Sequence, residues 1–96
     1  EDDASFFRVE VAKGKAWGCV AMGESSRGLA EKAKSNPAFV NGLTVTSKGR
    51  ILPNPGAVPI KENNNIIGSV GISGDKGEND EKICIEAVKK NGLDTD

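Results

Sequence analysis

Apolar residues recur at three- and four-residue steps from Ser5 to Met22. Phe6, Val9, Ala12 or Lys13, Ala16 and Val20 predict one face of a helix, and Phe7, Val11 and Trp17 widen it. Such a helix is expected to be covered on more than one side. Ser5 is placed to cap it, with Asp2 and Asp3 at the positive end of its dipole, and Gly23 to end it. Gly14 and Gly18 lie one turn apart, and each costs roughly 1 kcal/mol of helix propensity relative to alanine. That cost points to a close neighbour: a sheet, a sister helix or a ligand.

A second, short helix is predicted from Ser25 or Ser26, with Leu29, Ala30 and Ala33 inward and Arg27, Glu31, Lys32 and Lys34 outward. Asn36-Pro37 breaks it, because the residue before proline avoids helical angles. Pro37 then opens one more turn, Ala38 to Asn41, closed by Gly42. Leu43-Thr44-Val45-Thr46 alternates apolar and polar, which predicts a short strand or extended segment, and Ser47 to Arg50 predicts a turn.

Pro53-Asn54-Pro55-Gly56 lacks two amide donors and reads as a stiff loop. Ala57 to Lys61 reads as a strand that Pro59 pushes toward an edge or a bulge. Glu62 to Asn65 is a tight turn, since Asn tolerates left-handed angles, and Ile66 to Ser73 returns as the second arm of a hairpin. Both faces of that arm are apolar or small, so it expects neighbours on both edges. These must come from residues 43–52, from a second subunit or from chain beyond this sequence. Gly74 to Gly77 reads as a loop. The last helix opens at Glu78 or Asn79, with Asp80 and Glu81 in its first turn and Lys89 and Lys90 in its last. Ile83, Cys84, Ala87 and Val88 form its predicted inner stripe. Gly92 stops it, Leu93 folds back, and residues 94–96 are expected to fray.

Ninety-six residues allow one domain, read as spanning 1–96. Thirteen Lys and Arg against fourteen Asp and Glu leave a net charge of −1, which argues against a dedicated nucleic-acid binder. No apolar run approaches the ~20 residues that span a bilayer, and the acidic opening Glu1-Asp2-Asp3 is unlike a signal peptide. Cys19 and Cys84 are read as reduced, half-buried core residues, so a cytoplasmic home is expected. Histidine is absent, and with it every Ser-His or Cys-His device and the commonest metal ligand. No metal site and no catalytic residue are predicted.

Five segments in order carry a resemblance: Lys15-Ala16 in a glycine-bearing helix, Asn36-Pro37, Pro53-Asn54-Pro55-Gly56-Ala57-Val58-Pro59-Ile60, Ile67-Gly68-Ser69-Val70-Gly71-Ile72-Ser73-Gly74, and Asn79-Asp80-Glu81. Over roughly residues 4 to 93 the chain resembles the haem-degrading GlcG–HbpS-like family, which includes the PduO C-terminal domain. The resemblance implies an α/β (α+β), profilin-like layered fold with a mainly antiparallel sheet packed by helices. It also implies that this chain corresponds to the C-terminal two-thirds of the usual domain, whose N-terminal part is absent here or supplied as a companion fragment. A homo-oligomer, and haem or a corrinoid as ligand, are further expectations from the resemblance. Histidine ligation of iron cannot operate here.

Gly68, Gly71 and Gly74 mimic a phosphate loop but lie along a strand and lack the Lys-Ser/Thr tail, so they read as close backbone approach. The loop from Ser73 into the last helix has amides able to hold an anion, though plain capping by Asp80 serves the dipole equally. Lys15 reads either as a solvated lysine or as a cation pointing into a cleft to pair a ligand carboxylate. The expected pocket lies between the first helix, the Pro-rich loop and the Ser73-Gly74 corner, lined by Lys15, Gly18, Pro55, Gly56, Val58, Ser73, Gly74 and Asp80. The first functional expectation is a non-enzymatic domain binding a tetrapyrrole or another carboxylate-bearing ligand. The alternatives are an oligomeric assembly module packed through the helix glycines, and an enzyme acting on a small organic acid through Lys15 or Asp80.

Overall fold

The computed structural model describes residues 6–95. Four helices and one hairpin follow in the order α1 (Phe6–Met22), α2 (Ser26–Ser35), α3 (Pro37–Thr46), β1 (Ala57–Glu62), β2 (Asn65–Gly71) and α4 (Gly77–Lys90). The cap expected at Ser5, the dipole acids Asp2 and Asp3 and the side chain of Phe6 lie outside the described residues.

The hairpin forms where the residues demand it. Asn63 and Asn64 both take positive φ, 53° and 66°, the two-residue turn whose twist matches antiparallel strands. Ile72 N–H donates to Gly56 O at 2.9 Å, and the register pairs Val58 with Val70 and Ile60 with Gly68. Alternate residues of β1 therefore turn their backbone groups away from β2. Pro59 sits at one of these outward positions, so its missing N–H breaks no ladder bond. That outer edge is closed by the chain itself: Ser26 Oγ accepts from Ala57 N–H at 3.0 Å, and Thr95 Oγ1 donates to Pro59 O at 2.7 Å. Lys61 and Asp94 exchange two backbone bonds. The expected fraying of the tail is thus overturned for Asp94 and Thr95, which form a bridge on β1, while Asp96 lies outside the described residues.

The hairpin is a layer between helices. Val58 packs with Cys84 and Val88 of α4, flanked by Ile60, Val70, Ile72, Ile85 and Leu93. On the other face, β2 approaches α1 so closely that a Cβ on Gly71 would lie 2.6 Å from Ala12 O, and Ser69 Oγ donates to Ala16 O at 2.7 Å. Leu93 folds back as expected, with its N–H on Val88 O after the left-handed Gly92.

Three sequence readings are corrected. Residues 43–46 are the end of α3, not a strand: Asn36 caps that helix, Pro37 occupies its first turn, and Gly42 lies in open space where it costs only propensity. The helix exposes Val45, and its 43–46 pattern reflects one solvated face rather than a pleat. In α1 the buried face is Lys15, Gly18 and Cys19, whereas Val9, Val20, Phe7 and Trp17 are the open side. In α4, Cys84 and Val88 are inward but Ile83 and Ala87 face out. The glycines of α1 pack within the chain, Gly14 against Leu52 and Gly18 against Leu29 and Ile51, which explains their presence without a sister subunit.

β2 was expected to have neighbours on both edges. It has β1 on one, and no described strand on the other.

Candidate functional site

The three elements named for a pocket do converge, but they close on each other. Lys15 Nζ donates to Ile72 O at 3.1 Å and lies 3.8 Å from Asp80 Oδ2, with both side chains almost wholly buried. Gly56, at φ +132°, passes so near that a Cβ there would stand 2.5 Å from Lys15 Nζ. Asp80 accepts from Gly74 N–H at 3.3 Å and from Asp75 N–H at 3.2 Å. The amides expected to hold an external anion are therefore taken by the chain's own carboxylate. Lys15 is neither solvated nor open to a ligand; it is the counter-charge that lets Asp80 be buried.

The other nominated residues separate. Gly18 and Val58 face the core rather than a cleft. Pro55 packs on Gly77 at the start of α4. Ser73 and Gly74 reach an open groove of about 490 Å³, lined also by Arg8, Val9, Ala12, Lys13, Ala16, Gly71 and Ile72. Its floor is low because Ala12 and Ala16 of α1 meet Gly71 of β2. Arg8 and Lys13 stand over that floor with no salt bridge to any described residue. The sequence reading missed Arg8 as a site residue and counted Lys13 only as a stripe position. The signal was available: helix spacing 8, 12, 16 sets a cation in line with two alanines.

Cys19 and Cys84 form no disulfide, and both are fully buried rather than half-buried. Cys84 donates weakly toward Gly56 O at 3.4 Å, beside the Lys15–Asp80 junction. Burial, reinforced by Asp80 and Glu81 and opposed by Lys15, pushes its thiol up from 9.0 to about 11. The folded protein thus holds this proton more tightly than the unfolded chain. The resulting stability is complete below pH 9 and is lost as pH rises from there toward 11, by about 2 kcal/mol. Urea midpoints of the wild type and Cys84→Ala, compared from pH 8 to 11, should show the wild type losing ground. Lysine titration is common to both and cancels. A constant difference up to pH 11 would contradict the burial argument.

Among the described residues no group of three or more Cys, Asp or Glu is placed to hold a metal ion, and no helix is long and apolar enough to cross a membrane.

A family model described as haem degrading protein HbpS-like matches residues 1–89. Among solved structures the chain resembles the PduOC protein crystallised as a heme complex, at TM-score 0.86 and 28% identity, over 99% of this chain and 68% of that one. It also resembles protein ORFY of Klebsiella pneumoniae, at TM-score 0.81 and 25% identity, over 93% of this chain and 61% of that one. The chain therefore spans roughly two thirds of the length of these structures. No curated protein matches the sequence.

Proposed function

Because this chain belongs to the HbpS-like haem-degrading protein family, we propose that it is a small-ligand-binding domain whose guest, a tetrapyrrole or another carboxylate-bearing molecule, sits in the groove between α1 and the end of β2. The observation that supports this reading is a groove lined by Arg8, Lys13 and Ser73 together with alanine, valine and isoleucine, with no acidic side chain in the lining. A guanidinium and an ammonium lining one groove suit two separate carboxylates, and the alanine and isoleucine floor suits an apolar body between them. The groove volume falls within the ~300–1,000 Å³ common for small-ligand sites. A similar protein has been crystallised with heme, whose propionates and apolar ring have this distribution of chemistry.

The fit is to the carboxylates and the ring, not to iron. No imidazole, thiol or thioether lines the groove. The chain has no histidine, and its two thiols are buried in the core. No reaction at the iron is therefore derived from these residues. What they supply is binding: Arg8 and Lys13 neutralise the carboxylates, and α1 excludes water from one ring face.

Haem titrated into the protein should give a weak, broad Soret change without the sharp stoichiometric band of two-histidine coordination. Arg8→Ala combined with Lys13→Ala should weaken binding at least ~10-fold, which is about 1.4 kcal/mol. Haem dimethyl ester, which lacks free carboxylates, should bind the wild type as weakly as haem binds the double variant. A sharp two-ligand band, or binding indifferent to both changes, would refute this assignment.

A further inference from the structure

We propose that the recess between α1 and the turn at residues 47–50 is a second binding site, for a small phosphate monoester, whose phosphate is held by Arg50, Lys48 and Lys13. The inference stands apart from the α1–β2 groove, with which this recess shares only Lys13.

Three observations carry it. First, the recess has a volume of about 390 Å³ and its lining holds three cations, Lys13, Lys48 and Arg50, and one carboxylate, Glu10. None of the three cations forms a salt bridge with a described residue, so the lining keeps a positive surplus with no internal partner. Second, the turn that carries two of these cations is pinned from several sides. Ser47 Oγ accepts from Ile51 N–H at 3.2 Å, Thr44 Oγ1 donates to Ile51 O at 3.1 Å, and the Ile51 side chain is buried. Gly14 lets the chain beyond the turn lie against α1: Leu52 N–H donates to Gly14 O at 3.3 Å, and a Cβ at position 14 would stand 3.0 Å from that of Leu52. A ligand meeting cations on such a turn has little loop ordering to offset. Lys48 holds its place there at a φ of 60°, an angle that glycine or asparagine adopts more readily. Third, the Arg50 guanidinium carbon lies 5.2 Å from the centroid of the Trp17 ring, which also lines the recess. Stacking on the ring restrains the guanidinium and leaves its in-plane N–H fork for an oxyanion.

Charge and shape select the ligand. A phosphate monoester carries about −1.5 to −2 at pH 7 on three terminal oxygens. That matches a lining in which three cations outnumber one acid by two. An arginine fork takes two oxygens of such a group, and lysines act on it as point charges. The volume lies at the low end of the ~300–1,000 Å³ common for small-ligand sites, which suits a short organic ester.

The test is calorimetric titration with glycerol 1-phosphate, paralleled by the emission of Trp17, the one tryptophan of the chain. Binding should saturate at one ligand per chain and shift that emission, and inorganic phosphate should compete for the same site. Succinate, whose two negative charges sit on separate carboxylates, should bind at least ~10-fold more weakly. Arg50→Gln should lower the affinity for glycerol 1-phosphate at least ~10-fold. Lys48→Asn, which removes the charge but suits the left-handed angle, should lower it at least ~3-fold with the melting temperature retained. Arg8→Ala, in the neighbouring groove, should leave phosphate binding unchanged, so that failure here and failure of the haem assignment are read separately. The proposal is overturned if glycerol 1-phosphate gives no saturable signal beyond that of sodium chloride at equal ionic strength. It is overturned too if succinate binds as tightly, or if Arg50→Gln and Lys48→Asn bind like the wild type.

Discussion

Asp80→Ala should lower the unfolding free energy by about 3–5 kcal/mol, a large share of the ~5–15 kcal/mol available to a domain. The carboxylate is fully buried and carries three duties. It faces the Lys15 ammonium, and it accepts the amides of Gly74 and Asp75, which fixes the turn from β2 into α4. Alanine leaves those amides without their acceptor and a buried lysine without a counter-charge. Because Lys15 also holds Ile72 O, the chain cannot swing the ammonium out without breaking the α1–β2 contact. Asp80→Asn keeps one acceptor oxygen and should cost less than alanine. Lys15→Met combined with Asp80→Asn should recover part of the loss, because the orphaned charge is gone. Urea denaturation of the three variants measures this. A loss below about 1 kcal/mol for Asp80→Ala would show that the junction contributes little.

Gly56→Ala should destabilise by about 3 kcal/mol or more, through backbone strain and overlap together. At φ +132° the residue lies where side chains are strained whatever the space. The added Cβ would also meet Lys15 Nζ at 2.5 Å and Ile72 O at 2.9 Å. A long lysine normally yields to such an intrusion, but here its head is held between Ile72 O and Asp80. Gly42→Ala provides the opposite sign. It lies within α3 with nothing in contact range of its Cβ, so alanine should stabilise by roughly 0.5–1 kcal/mol through helix propensity alone. Thermal melting of both variants checks the pair. Equal shifts would mean that the position of the glycine does not matter.

The family was legible from local order and spacing, and the matching family model and the likeness to PduOC bear this out. So was the hairpin, because Asn63-Asn64 prefers the left-handed angles a two-residue turn needs. The site was only partly legible. The convergence of Lys15, Gly56 and the Ser73-Gly74 corner was anticipated, but as a pocket. Adjacency along a motif does not say whether polar groups face a ligand or each other. Asp80 was read as a helix-dipole acid, and nothing in its neighbours foretold that it would cross to the Gly74 amide and approach Lys15. Arg8 and Lys13 were overlooked because a stripe rule sorts positions by apolar character. On α1 that rule misplaced the large residues: Val9, Trp17 and Val20 face out, Ala12 and Ala16 meet the sheet, and the lysine, glycine and cysteine are buried.

By itself, the amino-acid order determined those features whose causes lie within a few residues: the caps at Ser25 and Asn36, the stop at Gly92, the asparagine turn and the absence of any imidazole. Only the tertiary structure decided which charges are buried, which face of α1 is the inner one and which edge of the hairpin Ser26, Asp94 and Thr95 close. Each of these depends on groups up to 65 positions apart, such as Lys15 and Asp80. Desolvation makes such a pairing obligatory once formed, yet the pairing has no periodicity along the chain.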